Sequence, residues 1–257
     1  MPIRVHFGTE LIAGFVLTVT RVGSALFFLP LPGFTDAAKP VRIVLVLGIT
    51  FCLLPVWPVL QMDGLGAGRF TLALLAESGA GLLIGLAIAF VHEAFQFAAQ
   101  AVSMQSGFSI ASVFDPASKA DTTVFQVLTQ FTTGLLFFVF GVYQQLILIL
   151  GRSFEIFTPN WPMLERASLK AIVVLGGAMF TTGLKLGLPL VVLLLLVEIS
   201  LALLGRLHAQ LQLMIVSFPA KTALSFFFLA AMMMRWPALY EHLARTVFDT
   251  LSQLAPV

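Results

Sequence analysis

The chain has 257 residues, of which 59% are hydrophobic and 10% are charged, whereas a soluble domain has about 45–50% apolar and about 25% charged residues. Its mean hydropathy of +1.02 extends over the whole length, which predicts a membrane protein and excludes a water-soluble domain of useful size. The net charge of +2 provides no basic field for phosphates, so nucleic acid is excluded as a partner.

Six apolar blocks follow one another along the chain, separated by charged residues and by proline or glycine clusters. Their approximate bounds are 10–31, 41–60, 72–103, 122–151, 167–204 and 207–235. A transmembrane helix needs about 20 apolar residues, and the clearest candidate is block 122–151, which has no formal charge between Asp121 and Arg152. We therefore expect an all-α membrane protein with about six hydrophobic helical segments.

Several of these blocks are unusual for simple spans, because they contain charges and helix breakers. The charged residues are Arg21, Glu77, Glu93, Lys185, Glu198 and Lys221. The breakers are Pro30, Pro32, Gly33, Pro55, Pro58, Gly187, Pro189 and Pro219. A charge in the hydrocarbon costs about 2.5–3.5 kcal/mol even on a lenient scale, and broken helices need neighbouring protein or water. The pattern favours broken helices, arranged as hairpins, in a subunit of a hetero-oligomer.

Small and polar residues recur every three or four positions in the third and fourth blocks, which places them on one helical face. This stripe contains Glu77, Gly81, Gly85, Glu93, Gln96, Gln100, Gln126 and Gln130. The spacing of Gly81 and Gly85 also suits tight packing between helices. Because so many glutamines are costly in a purely packed interface, we interpret the stripe as facing a pore or another subunit.

The segment between these two blocks, QSGFSIASVFDPASKADT at 105–122, is too apolar for an ordinary aqueous loop. It alternates small, adaptable residues with apolar ones and contains Asp115 before Pro116, a turn signal. Such a loop must bury its apolar side chains. Composition leaves two interpretations equally open: a re-entrant loop that only packs, or a plug that fills a pore when the pore is idle.

After Trp236, apolar residues recur at helical spacing. The stripe is formed by Leu239, Leu243, Val247, Leu251 and Leu254. It predicts an amphipathic C-terminal helix that lies in the membrane interface or docks on a partner.

Catalytic and cofactor motifs are not found, so we predict that the chain is not an enzyme and binds no cofactor. His92–Glu93 would need a histidine at position 96 for a metalloprotease motif, but that residue is Gln96. The single cysteine, Cys52, has no CxxC partner. Ser217 and Lys221 have the spacing of a Ser-Lys dyad, yet Pro219 lies between them and no further catalytic pattern supports a hydrolase.

Five stretches in the same order resemble the FliR/SctT family of the type III secretion export apparatus. They read TRVGSALFFLPLPGF, PVRIVLVLGITFCLLP, GLLIGLAIAFVHEAFQFAAQAVSMQSGFSIASVFDP, GLKLGLPLVVLLLLVEISLALLGR and LQLMIVSFPAK. The resemblance covers most of the chain. The stretch GVYQQLI at 141–147 departs from the Gly-His element that flagellar members often have, and we still prefer the flagellar system to the injectisome.

The resemblance implies an export-gate subunit in the bacterial inner membrane, within the basal body. Its partners would be the P and Q gate subunits, the B component on the cytoplasmic side and unfolded export substrates. Residues 1–165 would form a P-like portion, and 166–257 a Q-like hairpin plus the C-terminal helix. The family's plug falls on 107–116 and comprises Gly107, Phe108, Ser109, Ile110, Val113, Phe114, Asp115 and Pro116.

One alternative from a different functional class is a secondary transporter of a small solute. Glu93, Lys185 and Glu198 would then be its coupling charges, and Gly187 with Pro189 would form a broken helix at its binding site.

Overall fold

The computed structural model describes residues 9–29, 39–58, 67–108, 123–156, 166–207 and 213–253, and every regular element in these ranges is helical. The α-helices are α1 (Thr9–Phe27), α2 (Lys39–Cys52), α3 (Ala67–Ser106), α4 (Val124–Val139), α5 (Val142–Ile156), α6 (Arg166–Leu207), α7 (Leu213–Met233) and α8 (Trp236–Gln253). A 3-10 helix, Leu54–Val56, follows α2. The predicted all-α class is confirmed.

Two of the described helices are long and apolar enough to cross a membrane alone, through Gly68–Ser106 of α3 and Lys170–Arg206 of α6. Two bent pairs, α4 with α5 and α7 with α8, each reach that length only together. The apolar parts of α1 and α2 are shorter. The described residues therefore contain two spans, or up to four if each bent pair is one span.

Block 122–151 is not the clean single span that its composition suggests. The axes of α4 and α5 differ by 63°, and the break lies at Gly141, whose φ is +63°. Glycine adopts this left-handed conformation without the steric cost that a Cβ imposes. The Gly141 carbonyl accepts hydrogen bonds from the backbone N–H groups of Gln144 and Gln145, at 3.0 and 3.2 Å, and these bonds start α5.

Conversely, α6 and α7 continue through residues that we expected to interrupt them. Gly187 and Pro189 lie inside α6, and Pro219 lies inside α7. A proline removes one backbone hydrogen bond, but membrane helices tolerate this loss where neighbours or local adjustments satisfy the freed carbonyl. Of the other expected breakers, Pro55 lies in the 3-10 helix and Pro58 follows it. The remaining three, Pro30, Pro32 and Gly33, lie outside the described residues.

The chain packs as two compact units. The first comprises 1–90, 137–176 and 244–257, and the second comprises 91–136 and 177–243. The first unit is held in part by an apolar cluster of Ala13, Leu17 and Ala73 with Phe70 and Leu74.

The second unit has a core in which α3, α6 and α7 meet. Val102, Leu190 and Leu194 are buried there. Gly187 lets α6 approach α3, because a Cβ on Gly187 would lie 3.3 Å from the Ala98 Cα. Close contact through small residues is the usual way in which membrane helices associate.

Helix α8 buries its apolar stripe inside the chain. Leu243, Val247 and Leu251 are at most 8% exposed, while Leu239 is 37% exposed; Leu254 lies outside the described residues. An interfacial or partner-docking helix would present these side chains outward. Both expectations for this stripe are therefore wrong, because the chain uses the apolar face of α8 for its own packing.

Candidate functional site

A buried ion pair joins α1 to α3 in the first unit. The guanidinium of Arg21 donates to Glu77 from Nε and from Nη2, the latter at 2.9 Å to Oε1. Both side chains are only 1% exposed. Two bonds to one carboxylate give the geometry in which a buried arginine and a carboxylate compensate each other.

Helix α5 adds two further contacts to the same guanidinium. Arg21 Nη1 donates to the Ser153 hydroxyl at 3.0 Å, and Arg21 Cζ lies 4.0 Å from the centroid of the Phe154 ring. The Ser153 hydroxyl donates to the Leu150 carbonyl at 2.7 Å. One arginine therefore fixes three helices of the first unit.

Next to this ion pair, the two glycines of the predicted stripe make room for α1. A Cβ on Gly81 would overlap the Arg21 carbonyl oxygen and the Ser24 hydroxyl, and a Cβ on Gly85 would overlap the Ala25 carbonyl. These residues therefore allow close approach of two helix backbones, which is the role of a GxxxG spacing.

A second polar network links α3 to α4 in the second unit. Gln96 Nε2 donates to His92 Nε2 at 3.3 Å, and His92 Nδ1 lies 2.7 Å from the Thr133 hydroxyl. That hydroxyl donates to the Thr129 carbonyl at 2.8 Å. These partners fit a neutral imidazole with its proton on Nδ1. His92 is thus a buried bridging residue.

The start of α4 is fixed by a capping box. The backbone N–H of Thr123 donates to Gln126 Oε1 at 2.9 Å, and the backbone N–H of Gln126 reaches the Thr123 hydroxyl at 3.5 Å. Such reciprocal bonds satisfy two N–H groups that the first turn leaves free. The Gln126 carbonyl accepts from Gln96 at 3.4 Å, so this end of α4 is tied to α3.

The C-terminal end of α3 shares a group of polar side chains with α6 and α7, which we call the polar cluster. Its members are Gln105, Ser106, Glu198, Lys221 and Ser225. Glu198 Oε2 accepts from Gln105 Nε2 at 3.0 Å and lies 3.1 Å from Lys221 Nζ. The Ser106 and Ser225 hydroxyl oxygens are 2.6 Å apart and buried.

Helix α3 ends in a turn at Gly107, the first residue of the predicted plug. Gly107 has a φ of +87°, and its N–H donates to the Met104 carbonyl at 3.3 Å, as in a left-handed helix C-cap. Phe108 follows and enters an aromatic cluster with Phe125, Phe218 and Phe226, with ring centroids 5.2, 5.9 and 6.2 Å from its own.

The glutamines and charges of the predicted site differ in burial. Gln96, Gln126 and Gln130 are half-buried, whereas Glu93, Gln100 and Lys185 are exposed. The other predicted plug residues, Ser109, Ile110, Val113, Phe114, Asp115 and Pro116, lie outside the described residues. No group of three or more potential metal ligands occurs in the described ranges.

Sequence reasoning identified the charges but not their partners. It did not predict that Arg21 pairs with Glu77, or that Glu198 serves both Lys221 and Gln105. It also missed Ser106 and Ser225. A signal was present for the first pair, since two opposite charges in separate apolar blocks are expected to compensate each other.

Comparison with known proteins assigns the family. The sequence profile described as bacterial export proteins, family 1, matches residues 12–247. The chain belongs to this family. As a member, it is a subunit of the type III protein export apparatus of the FliR/SctT kind, as the order of its motifs predicted, and the family consists of structural gate subunits rather than enzymes.

Relatives from both kinds of type III system match the chain. It is 27% identical to the flagellar biosynthetic protein FliR of Escherichia coli (strain K12), over 91% of this chain and 89% of the relative. It is 29% identical to FliR of Pectobacterium carotovorum, over 87% and 86%. It is 26% identical to the Yop proteins translocation protein T of Yersinia pestis, over 78% and 76%.

Because the chain belongs to this family, the export-apparatus assignment takes the place of the solute-transporter and hydrolase alternatives. Lys221, a candidate dyad residue, contacts Glu198. The apolar helices and the relatives together indicate an inner-membrane protein with membrane-embedded partners in the export apparatus.

Proposed function

We propose that this family member is a channel-forming subunit of a flagellar export gate and that its segment 107–116 closes the channel. The observation that carries the proposal is the match of the family profile to residues 12–247. The flagellar system is preferred because FliR of Escherichia coli aligns with 91% of the chain, whereas the Yersinia pestis injectisome relative aligns with 78%. An injectisome gate subunit is the second candidate.

The described root of segment 107–116 supports a closing role. Gly107 turns the chain away from α3, and Phe108 contacts the aromatic cluster of the second unit. A left-handed glycine at the end of a rigid helix provides a defined pivot. The apolar composition of the segment suits a pore seal, because apolar constrictions exclude water.

The partners of the proposed gate are the P and Q subunits, with the B component on the cytoplasmic side and unfolded export substrates in the channel. The exposed apolar surface of α6 supports the presence of such partners. Only 22% of the most apolar stretch of α6 is buried within the chain, against 50% of the corresponding stretch of α3. Residues 1–165 would be the P-like portion and 166–257 the Q-like portion, within the basal body.

A deletion of Gly107–Pro116 tests the proposed seal. We expect cells that assemble the gate with this deletion to leak ions or small solutes, because the apolar constriction is lost. Leak is measured by dye entry, and assembly by co-purification of the tagged chain with its partners. A matched control is Ser112→Ala, which leaves the segment's length and apolar residues intact. Sealed cells with a fully assembled deletion variant would contradict the proposed closing role.

A further inference from the structure

The last turn of α3 is the only part of the described helix that contacts both α6 and α7 through polar side chains, in the contacts given above. Its earlier turns pack through apolar side chains such as Val102 and through the polar contacts of Glu77 with α1 and of His92 and Gln96 with α4. Its last turn is held instead by the polar cluster and by the aromatic cluster. The Ser106–Ser225 contact is buried, whereas Glu198 and two rings of the aromatic cluster are partly exposed within the chain, and polar contacts of that second kind can be exchanged for other hydrogen-bond partners at a small cost in free energy.

Glu198 connects the two helices of the α6–α7 hairpin to α3. The same oxygen, Oε2, receives Gln105 Nε2 and lies beside Lys221 Nζ. Glu198 is 54% exposed, whereas Lys221 is 14% exposed. When Gln105 leaves, Glu198 and Lys221 still pair with each other. The arrangement therefore permits release without leaving a buried charge unpaired.

The aromatic cluster also combines buried and partly exposed side chains. Phe226 stacks on Phe125 with centroids 4.8 Å apart and also contacts Phe108. Phe218 and Phe226 are 48% and 37% exposed, while Phe125 is fully buried. The rings around Phe108 thus form a partly open receptor rather than a closed core.

We propose that the polar and aromatic clusters are a releasable latch, which holds the end of α3 on the α6–α7 hairpin in the idle channel and lets go during export. Gln105, Ser106 and Phe108 are positioning residues for the segment that follows. This inference rests on the proposed closing role of segment 107–116. It differs from that role, because it concerns what fixes the root of the segment.

The first test locks the latch with a disulfide. The Ser106 and Ser225 oxygens are 2.6 Å apart, so Ser106→Cys with Ser225→Cys, in a Cys52→Ser background, places two thiols within bonding reach. In cells with the complete apparatus, we expect oxidation to cross-link α3 to α7 and to stop substrate export. Reduction should restore export. The controls are the two single-cysteine chains, which cannot form this bond.

Normal export by the cross-linked gate would overturn the proposal, and so would failure of the pair to cross-link in assembled gates. Reversal by a reductant separates a locked movement from a folding defect, because a misfolded gate does not recover when one bond is reduced.

The second test weakens the latch. Phe226→Ala removes a ring from the aromatic cluster, whereas the control Phe227→Ala removes a neighbouring ring that is 69% exposed and contacts Phe228. We expect Phe226→Ala to raise the leak of idle gates by about fivefold or more, as expected for one lost aromatic contact in a two-state equilibrium, and Phe227→Ala to leave it unchanged. Equal leak in both variants would contradict the latch.

Combining Phe226→Ala with deletion of 107–116 separates the two proposals. If the segment is the seal, the deletion leaks and Phe226→Ala adds nothing to it. A leaking deletion with a tight Phe226→Ala gate overturns the latch alone. A tight deletion overturns the closing role itself.

Discussion

At the scale of single residues, the ion pairs Arg21–Glu77 and Glu198–Lys221 serve different purposes. Arg21 and Glu77 are both 1% exposed and share a bidentate contact, while Glu198 of the other pair is 54% exposed. Removing one partner of a buried ion pair strongly destabilises the protein, whereas removing one partner of an exposed pair does not. The first pair is therefore a permanent part of the first unit, and the second is suited to exchange.

A double-mutant cycle tests this assignment. Arg21→Met should lower the free energy of unfolding in detergent by about 3–5 kcal/mol, because it leaves Glu77 buried without a partner. The double variant Arg21→Met with Glu77→Met should lose less than Arg21→Met alone. The control Arg152→Met, at an exposed position on α5, should change stability by about 0.5 kcal/mol or less. Additive losses in the double variant would rule out the coupling.

At the scale of helices, close backbone contact depends on glycines in two helices. Gly81 and Gly85 bring α3 to α1 in the first unit, and Gly183 and Gly187 bring α6 to α3 in the second. At Gly183 a Cβ would lie 2.8 Å from the Ala94 carbonyl oxygen. Because backbone atoms are among the nearest neighbours of each of these glycines, these neighbours cannot move aside as a flexible side chain can.

Substitution of Gly85 tests this packing. Gly85→Ala should cost about 1–3 kcal/mol of stability, because its Cβ overlaps the Ala25 backbone. Gly48→Ala, in α2 where nothing lies within 4 Å, should be neutral or stabilise by up to about 1 kcal/mol, since alanine favours a helix interior. Thermal unfolding of the solubilised chain measures both. Equal effects would show that α1 and α3 can separate at no cost.

The sequence predicts helices better than it predicts breaks. Hydropathy located α3 and α6, because a long apolar run can satisfy its backbone in a membrane only as a helix. The hydropathy pattern does not indicate the bend at Gly141, since a left-handed glycine does not change hydropathy. The glycine and proline at Gly187 and Pro189 predicted a break, but α6 continues through them. The glycine there makes close contact with α3, which composition cannot distinguish from a kink.

The candidate sites show the same limit. Each charge in an apolar block could be identified as a residue that needs a partner, but which one it meets depends on how the helices pack. Arg21 pairs with Glu77, which lies 56 residues further along the chain, and Gln105 donates to Glu198, which lies 93 residues further along. The Ser106–Ser225 contact involves no charged residue, and serines are common in apolar helices, so the sequence pattern did not indicate it.

At the scale of the whole molecule, much of the apolar surface is not buried within the chain. The exposed large hydrophobic residues on α6 include Val173, Val174, Phe180, Leu184, Leu188, Val192, Leu195 and Leu196. A chain of this family with so much apolar surface needs lipid or neighbouring subunits to cover it. We expect subunits of the export gate to cover a large part of it.

The most direct test of this central claim is the native mass of the tagged full-length chain after gentle solubilisation from its own cells. We expect a hetero-complex that contains one copy of the chain and several copies of other gate subunits. Mass spectrometry of the intact complex measures the composition. A folded monomer, or an oligomer made only of this chain, would contradict the assignment of the chain as a channel-forming export-gate subunit.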